Sequence, residues 1–458
     1  MTTAEPVTAP APVDAPESEG GQTREPTPWL LCVLCLLVPA LPTYVIPPGA
    51  LKGNGAPARM IALIMFGLVV LGFMLVRRTS QPRRVNPGAV VILVYFALWL
   101  TTYGMGLLNN DDFVMASNKT RALIGLIAHV GVGLYVIARI RTAREQNIVL
   151  GCLAVGLGFA CLVGLLQAVA SIDLRLLLQP PGFVVNPEIN ILQLSFERQG
   201  VNRVTSTSQH PIEFSVLAAV TIPLTLHFAR NAATRRVRLL SGAACVVAML
   251  ALPAAVSRSG IFAVVTALLV YMFAFKIRPI AIAVSVIFLA IAAYMTLFPH
   301  IAGALWSTIT GSAEDASIES RLEDYTRVSE SFREHPIFGL GLGGSVPTEF
   351  GYLDNEWMGA IVQGGVIGLT AMALISGSAM FGMTAALRTA TSQREREQAY
   401  TLGAMVVGIL ATSFTFDLFG FEQTTVIFFI VLGLLWSRFN IPISEPNAHP
   451  PDRIGTAS

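Results

Sequence analysis

Apolar stretches long enough to cross a membrane recur along the whole chain, and few charged residues interrupt them. Of the 458 residues, 53% are hydrophobic and 13% are Asp, Glu, Lys or Arg, whereas charged residues make up about 25% of an ordinary soluble domain. A water-soluble fold cannot cover so much apolar surface with so few charges. The sequence therefore predicts an all-α polytopic membrane protein with no large soluble domain. Its net charge of +2 is too small and too scattered for a nucleic-acid binder.

About 12 of the apolar segments have the length that a spanning helix needs, roughly 20 residues. They occupy a predicted transmembrane domain over 28–438. The tails on either side, 1–27 and 439–458, are polar and predicted to be disordered. The predicted spans are 28–46, 58–76, 87–108, 121–139, 148–170, 212–228, 239–256, 261–275, 279–298, 358–384, 399–416 and 423–437.

Arginine placement predicts the orientation of the spans. Arginines cluster in alternate short connections, which the positive-inside rule places in the cytoplasm together with both termini. The two long connections, 171–211 and 299–357, are then extracytoplasmic, and the protein is expected in the cell membrane. The clusters include Arg77, Arg78, Arg83, Arg84, Arg139, Arg141, Arg144, Arg230, Arg235, Arg236 and Arg238.

Three arginines at the predicted outer face are candidate phosphate ligands. Arg198 and Arg203 precede the span at 212–228, and Arg258 lies between two spans with almost no loop. A guanidinium held at the membrane surface is costly unless it has an anion to bind. Its planar fork can contact two phosphate oxygens at once. Anchoring to lipid headgroups or an intramolecular salt bridge is the alternative for each arginine.

Three further positions at the outer face carry groups suited to acid–base chemistry. Asp354 and Asn355 lie where the chain re-enters the membrane, and a carboxylate beside apolar residues can have a raised pKa and act as a base. The alternative is an N-cap for the following span. His210 and His335 each precede a proline. Either histidine is a candidate base or ligand, with helix capping as the alternative.

The connection 299–357 contains two further patterns. Residues 317–335, which include Arg321, place apolar side chains at helical spacing and predict an amphipathic helix on the outer surface. The glycine run at 339–344 has the composition of a nucleotide-binding loop, but such a loop needs a preceding strand. The run follows a helix and a proline, so a flexible turn is the favoured interpretation.

Taken in order, these motifs resemble the O-antigen ligase and O-antigen polymerase superfamily. The similarity covers 195–370 at the level of motifs and the whole chain in the layout of spans. The motifs read Arg203-Val-Thr-Ser-Thr-Ser-Gln-His210-Pro211, Ser257-Arg258-Ser259-Gly260, His335-Pro-Ile-Phe-Gly339-Leu-Gly341, Asp354-Asn355 and Gly364-Gly365-Val-Ile-Gly368-Leu369.

The resemblance implies a C-type glycosyltransferase architecture and its chemistry. Such a protein transfers a glycan from a polyprenyl diphosphate carrier to an acceptor glycan, lipid or protein on the extracytoplasmic face. Arg203 and Arg258 match the arginines understood to bind the diphosphate. Asp354 stands where many relatives have the histidine proposed as the base, so either Asp354 takes that role or the base lies elsewhere.

The expected reaction is a direct, inverting displacement that requires no metal or other cofactor. The predicted catalytic residues are Asp354, Arg203 and Arg258. The predicted substrate-binding residues are Arg198, His210, Asn355, Arg321 and His335.

Two functions from other classes compete with glycan transfer. A multi-span transporter or flippase of a lipid-linked oligosaccharide would use ionisable residues near the membrane midplane. The predicted spans are nearly free of them, which counts against transport. A non-catalytic scaffold of a glycan assembly complex is the other alternative.

Overall fold

The computed structural model is almost entirely helical. It describes residues 27–49, 55–75, 85–109, 112–170, 172–175, 177–186, 196–198, 201–275, 296–310, 316–351 and 353–441. The helices are α1 Trp29–Ala40, α2 Pro57–Leu75, α3 Pro87–Gly106, α4 Phe113–Arg139, α5 Ala143–Ala170, α6 Pro211–Asn231, α7 Arg235–Ala251, α8 Arg258–Met272, α9 Pro299–Thr310, α10 Ala316–Glu334, α11 Pro347–Phe350, α12 Glu356–Thr389, α13 Gln393–Thr412 and α14 Glu422–Ser437.

Eight helices of the described ranges are long and apolar enough to cross a membrane. Two more, α1 and α8, are apolar but shorter. The chain is therefore a polytopic membrane protein, as the composition predicts. The predicted span at 279–298 and the predicted tails at 1–27 and 439–458 fall almost wholly outside the described residues, so the number of 12 spans and the division into domains stay predictions.

Helix α14 lies at the centre of the bundle. Its side chains are buried on every side from Gln423 to Ser437, as expected of a helix that is apolar all round. It packs against α1, α4, α12 and α13. Its one indole N–H, that of Trp436, donates to Ser378 Oγ at 2.9 Å. The Trp436 indole is thus satisfied inside the bundle.

Both long connections contain regular structure. In the first, β2 (Val184–Val185) pairs with β1 (Val45–Ile46), which follows α1, and β3 (Glu197–Arg198) pairs with β4 (Val201–Asn202), each antiparallel. The second contains α9, α10 and α11. Helix α10 confirms the amphipathic helix predicted over 317–335. Its Val328 packs into a small cluster with Phe350, Met358 and Val362.

The glycine run at 339–344 is a close-packed turn. Gly339, Gly341 and Gly343 have positive φ angles of 59°, 91° and 79°, a region that favours glycine. A Cβ on Gly341 would lie 3.1 Å from the carbonyl oxygen of Thr102 on α3. The run serves backbone-to-backbone packing against neighbouring helices, so no nucleotide-binding strand–loop–helix unit is present in this described segment.

Candidate functional site

Four chain segments meet at one end of the bundle. They are the 203–210 loop before α6, residues 256–259 at the start of α8, residues 354–356 at the start of α12, and residues 413–421 between α13 and α14. We call the last segment the 413–421 turn. These segments carry most of the predicted site residues, and their mutual contacts define the candidate site.

Arg203 joins the first segment to the second. Its Nε donates to the carbonyl oxygen of Ala255 at 2.8 Å. The backbone N–H of Val204 donates to the carbonyl oxygen of Ala254 at 3.2 Å. Two hydrogen bonds therefore hold the 203–210 loop against the short 3-10 helix Leu252–Ala255, which leads into Arg258.

Arg258 is the first residue of α8 and follows a strained turn. Val256 is buried and has φ 45° and ψ 57°, a left-handed conformation that costs a β-branched residue about 1–3 kcal/mol. Ser257 then caps the helix by accepting the N–H of Gly260 at 3.3 Å. After this turn, the half-buried Arg258 begins α8 at the end of the bundle where the four segments meet, which we call the rim.

Three buried hydroxyl groups hold the 203–210 loop in the bundle. Ser206 Oγ donates to Ala160 O on α5 at 2.6 Å, and Thr207 Oγ1 donates to Pro39 O on α1 at 2.7 Å. Ser208 Oγ donates to the side chain of Gln423 on α14 at 2.7 Å. The Ser/Thr run between Arg203 and His210 thus fixes the arginine relative to three helices.

His210 caps α6. Its Nδ1 accepts the N–H of Ile212 at 3.1 Å, and its ring lies 4.7 Å from that of Phe196 and 5.9 Å from that of Phe421. Burial, together with the positive charge of Arg203, lowers the pKa of His210 to about 4. The ring is therefore neutral at physiological pH, and the capping interpretation describes its contacts.

The start of α12 is capped as in the alternative that the sequence left open. Asn355 is its N-cap, and Asn355 Oδ1 accepts the N–H groups of Trp357 and Met358 at 2.9 and 3.3 Å. Asp354, the residue before the cap, is exposed. The buried carboxyl group is that of Glu356, two residues later.

The 413–421 turn connects this corner to α8. The N–H of Glu356 donates to Ser413 O at 2.9 Å, and Glu356 Oε2 accepts the N–H of Phe419 at 2.8 Å. Thr415 Oγ1 donates to Ser259 Oγ at 3.0 Å. One turn therefore contacts both the residue after Arg258 and the residue that follows Asn355.

Asp417 adds a third carboxyl group to the corner. Its side chain hydrogen-bonds to Glu356. Desolvation by the surrounding protein, together with the negative charge of Asp354, raises the pKa of Asp417. The three carboxyl groups are close enough to influence one another. Carboxyl groups that interact this closely bind and release protons as a coupled set.

The remaining predicted residues lie farther away or outside the described part of the chain. Arg198 belongs to β3 and Arg321 to α10, but their side chains are outside the described residues. His335 directly follows α10 and is half-buried. The turn after it hydrogen-bonds to Val362, seven residues beyond Asn355, or about 10 Å along a helix axis.

The O-antigen ligase family model matches residues 243–373. This match confirms the resemblance to the O-antigen ligase superfamily that the motifs predicted. It supports glycan ligation of the O-antigen ligase type, and with it a ligase or glycosyltransferase class of enzyme acting on a lipid-linked glycan and an acceptor. No curated protein matches the chain.

The region matched to the O-antigen ligase family contains Arg258, Asp354 and Asn355 but only part of the site. Arg203, His210 and the 413–421 turn lie outside it, and the fold brings them to it. Neither Asp417 nor Glu213 is among the residues that the sequence motifs predict. Glu213 is fully buried and accepts the backbone N–H groups of Gln209 and Gln423, each at 3.0 Å.

Proposed function

We propose that the protein transfers or polymerises a polyprenyl-diphosphate-linked glycan on the extracytoplasmic face of the cell membrane. One observation carries the proposal: the side chain of Arg203 is bonded to the strained turn that presents Arg258. Two guanidinium-bearing segments thereby share one rim of the bundle. Both termini are cytoplasmic in this arrangement.

The two arginines suit a diphosphate leaving group. The acceptor hydroxyl oxygen attacks the anomeric carbon of the donor glycan, and the bond from that carbon to the phosphate oxygen breaks. The polyprenyl diphosphate departs with the electron pair, and the anomeric centre is inverted. Each charge-assisted hydrogen bond from Arg203 or Arg258 to the departing phosphates contributes on the order of 1.5–3 kcal/mol.

The proton of the acceptor hydroxyl goes to a carboxylate. Asp354 is the proposed base because it is exposed at the rim and lies near Asp417. Asp417 and Glu356 share a hydrogen bond behind it, so a proton taken by Asp354 has a neighbouring pair of acceptors. His210, Asn355, Arg198, Arg321 and His335 remain proposed contacts to the substrate.

The decisive experiment compares surface and carrier-linked glycans in a deletion strain complemented with variants. Arg203→Ala and Arg258→Ala should abolish the product while membrane-inserted protein stays at the wild-type level. Arg236→Ala, an exposed arginine on α7, is the matched control and should behave as wild type. Wild-type glycan in both site variants would refute the assignment.

The same strain separates the two activities. Loss of long chains with intact single units indicates a polymerase. Accumulation of a carrier-linked polymer indicates a ligase. Transport of a lipid-linked oligosaccharide across vesicles without glycan growth would instead favour a transporter or flippase. Silent arginine variants, combined with loss of partner binding on loop deletion, would favour a scaffold.

A further inference from the structure

A second polar cluster lies beside the 203–210 loop, next to α1 and the end of α5. We call it the outer polar cluster; it consists of Tyr44, Asp173, Arg175 and Thr205. The Asp173 carboxylate accepts Arg175 Nε at 2.8 Å and Arg175 Nη2 at 2.5 Å. Arg175 Nη1 donates to Thr205 Oγ1 at 3.4 Å. Because Thr205 is two residues from Arg203, the cluster adjoins the proposed diphosphate site.

The ion pair is open to ligands on one side only. The Arg175 side chain is 12% exposed, whereas the Asp173 side chain is 43% exposed. Ion pairing with Arg175 and the N–H of Arg175 lower the pKa of Asp173 despite its partial burial. The carboxylate therefore stays ionised and presents acceptor lone pairs outward. With Arg175 behind it, the pair has no net charge and offers no attraction for a phosphate.

Tyr44 brings a buried hydroxyl to the same place. Its ring packs with Phe183 and Val185, and its carbonyl oxygen accepts the N–H of Asn186 at 2.8 Å. Its hydroxyl is buried and has no hydrogen-bond partner within the described part of the chain. Burial raises the pKa of Tyr44, the charge of Arg175 lowers it, and the charge of Asp173 raises it. A buried hydroxyl without a partner is destabilising, and a bound ligand would satisfy it.

We propose that Tyr44, Asp173 and Arg175 form a subsite for an uncharged sugar residue of the donor glycan. Sugar hydroxyls both donate and accept, so one residue can donate to Asp173 and exchange hydrogen bonds with Tyr44. The proposal rests on the proposed function, because the first sugar is held beside the cluster by the diphosphate at Arg203. The outer polar cluster then binds the saccharide, and Arg203 and Arg258 bind the phosphates.

Binding to purified protein in phosphatidylethanolamine–phosphatidylglycerol nanodiscs tests this subsite. The probes are polyprenyl diphosphate, the polyprenyl-diphosphate glycan pool extracted from the native cells, and the glycan released from that pool by mild acid. Tyr44→Phe removes only the buried hydroxyl and keeps the ion pair of Asp173 and Arg175. The variant should weaken binding of the glycan-bearing pool by about ten-fold, the scale of one hydrogen bond to a charged or buried partner. Binding of polyprenyl diphosphate should stay at the wild-type value.

Two controls and the alternative outcomes keep the two proposals apart. Tyr325→Phe, on exposed α10, should leave all binding unchanged, and Arg203→Ala should weaken both lipid probes. Equal loss of both lipid probes in Tyr44→Phe, or no loss at all, overturns the subsite. Tyr44-dependent binding of the released glycan without any binding of polyprenyl diphosphate overturns the proposed function and keeps the subsite. Binding of no probe by the wild type overturns both.

Discussion

Arg203 Nε lies 2.8 Å from the carbonyl oxygen of Ala255, three residues before Arg258. Arg203 and Ala255 are 52 positions apart in the sequence. Their hydrogen bond holds Arg203, one candidate phosphate ligand, against the turn that leads into Arg258, the other candidate. The bond uses the nitrogen nearest the aliphatic stem. The orientation of the guanidinium therefore depends on the protein itself as well as on any ligand.

Arg203→Lys should abolish most activity although it keeps the charge. Lysine lacks both the Nε donor to Ala255 and the planar fork, so we expect at least a roughly ten-fold loss of glycan transfer, the scale of one charge-assisted hydrogen bond. Transfer is measured in membranes and normalised to inserted protein. Arg236→Lys is the control. Activity equal to wild type in Arg203→Lys would show that charge alone is sufficient there.

Gly260→Ala should displace the start of α8. A Cβ on Gly260 would lie 2.6 Å from Ser215 Oγ on α6, and such overpacking typically costs about 1–3 kcal/mol. Gly242 on α7 has no atom closer than 4.0 Å, so Gly242→Ala should be neutral or stabilise by roughly 0.5–1 kcal/mol. Thermal unfolding in detergent measures both variants. Equal stability of the two would contradict the close packing of α6 and α8.

His210 should make the protein less stable in mild acid. Its pKa of about 4 in the folded state lies below the ordinary value of 6.5, so the unfolded chain binds the proton more tightly as pH falls from about 6.5 to 4. We expect the wild type to lose on the order of 1–2 kcal/mol between pH 7 and pH 5 from this group. His210→Asn keeps a cap acceptor and should lose less. Parallel melting curves for the two proteins at both pH values provide the check.

Asp417→Asn should raise thermal stability at alkaline pH. Because the folded state raises the pKa of Asp417, folding favours its protonated form, and that contribution is lost as pH rises above the folded pKa. Asparagine keeps a hydrogen bond to Glu356 without the charge. The gain over wild type should be present at pH 8 and vanish at pH 4. A gain of the same size at both pH values would point to packing rather than titration.

Asp354→Asn tests the proposed base. Because the amide cannot accept the proton, glycan transfer should fall by about two to four orders of magnitude, with inserted protein unchanged. Glu330→Gln, which neutralises an exposed acid on α10, is the matched control and should retain activity. Full activity of Asp354→Asn would move the role of base to the Asp417–Glu356 pair.

Composition and local pattern were enough for several features. Apolar segments of spanning length predict the membrane fold, because a bilayer demands helices with few charges. The apolar spacing after residue 317 predicts α10, because it repeats at the helical period. The motifs at Arg203, Arg258 and Asp354 predict the O-antigen ligase resemblance, which the match over 243–373 confirms.

Only the tertiary structure decided which groups are buried and which meet. Asp354 and Glu356 are both acids at a helix start, yet Asp354 is exposed and Glu356 is buried against the 413–421 turn. Tyr44 and Arg175 are separated by 131 positions and share one cluster. Burial and proximity depend on how helices far apart in sequence pack together, whereas hydrophobic length and period are properties of each segment alone.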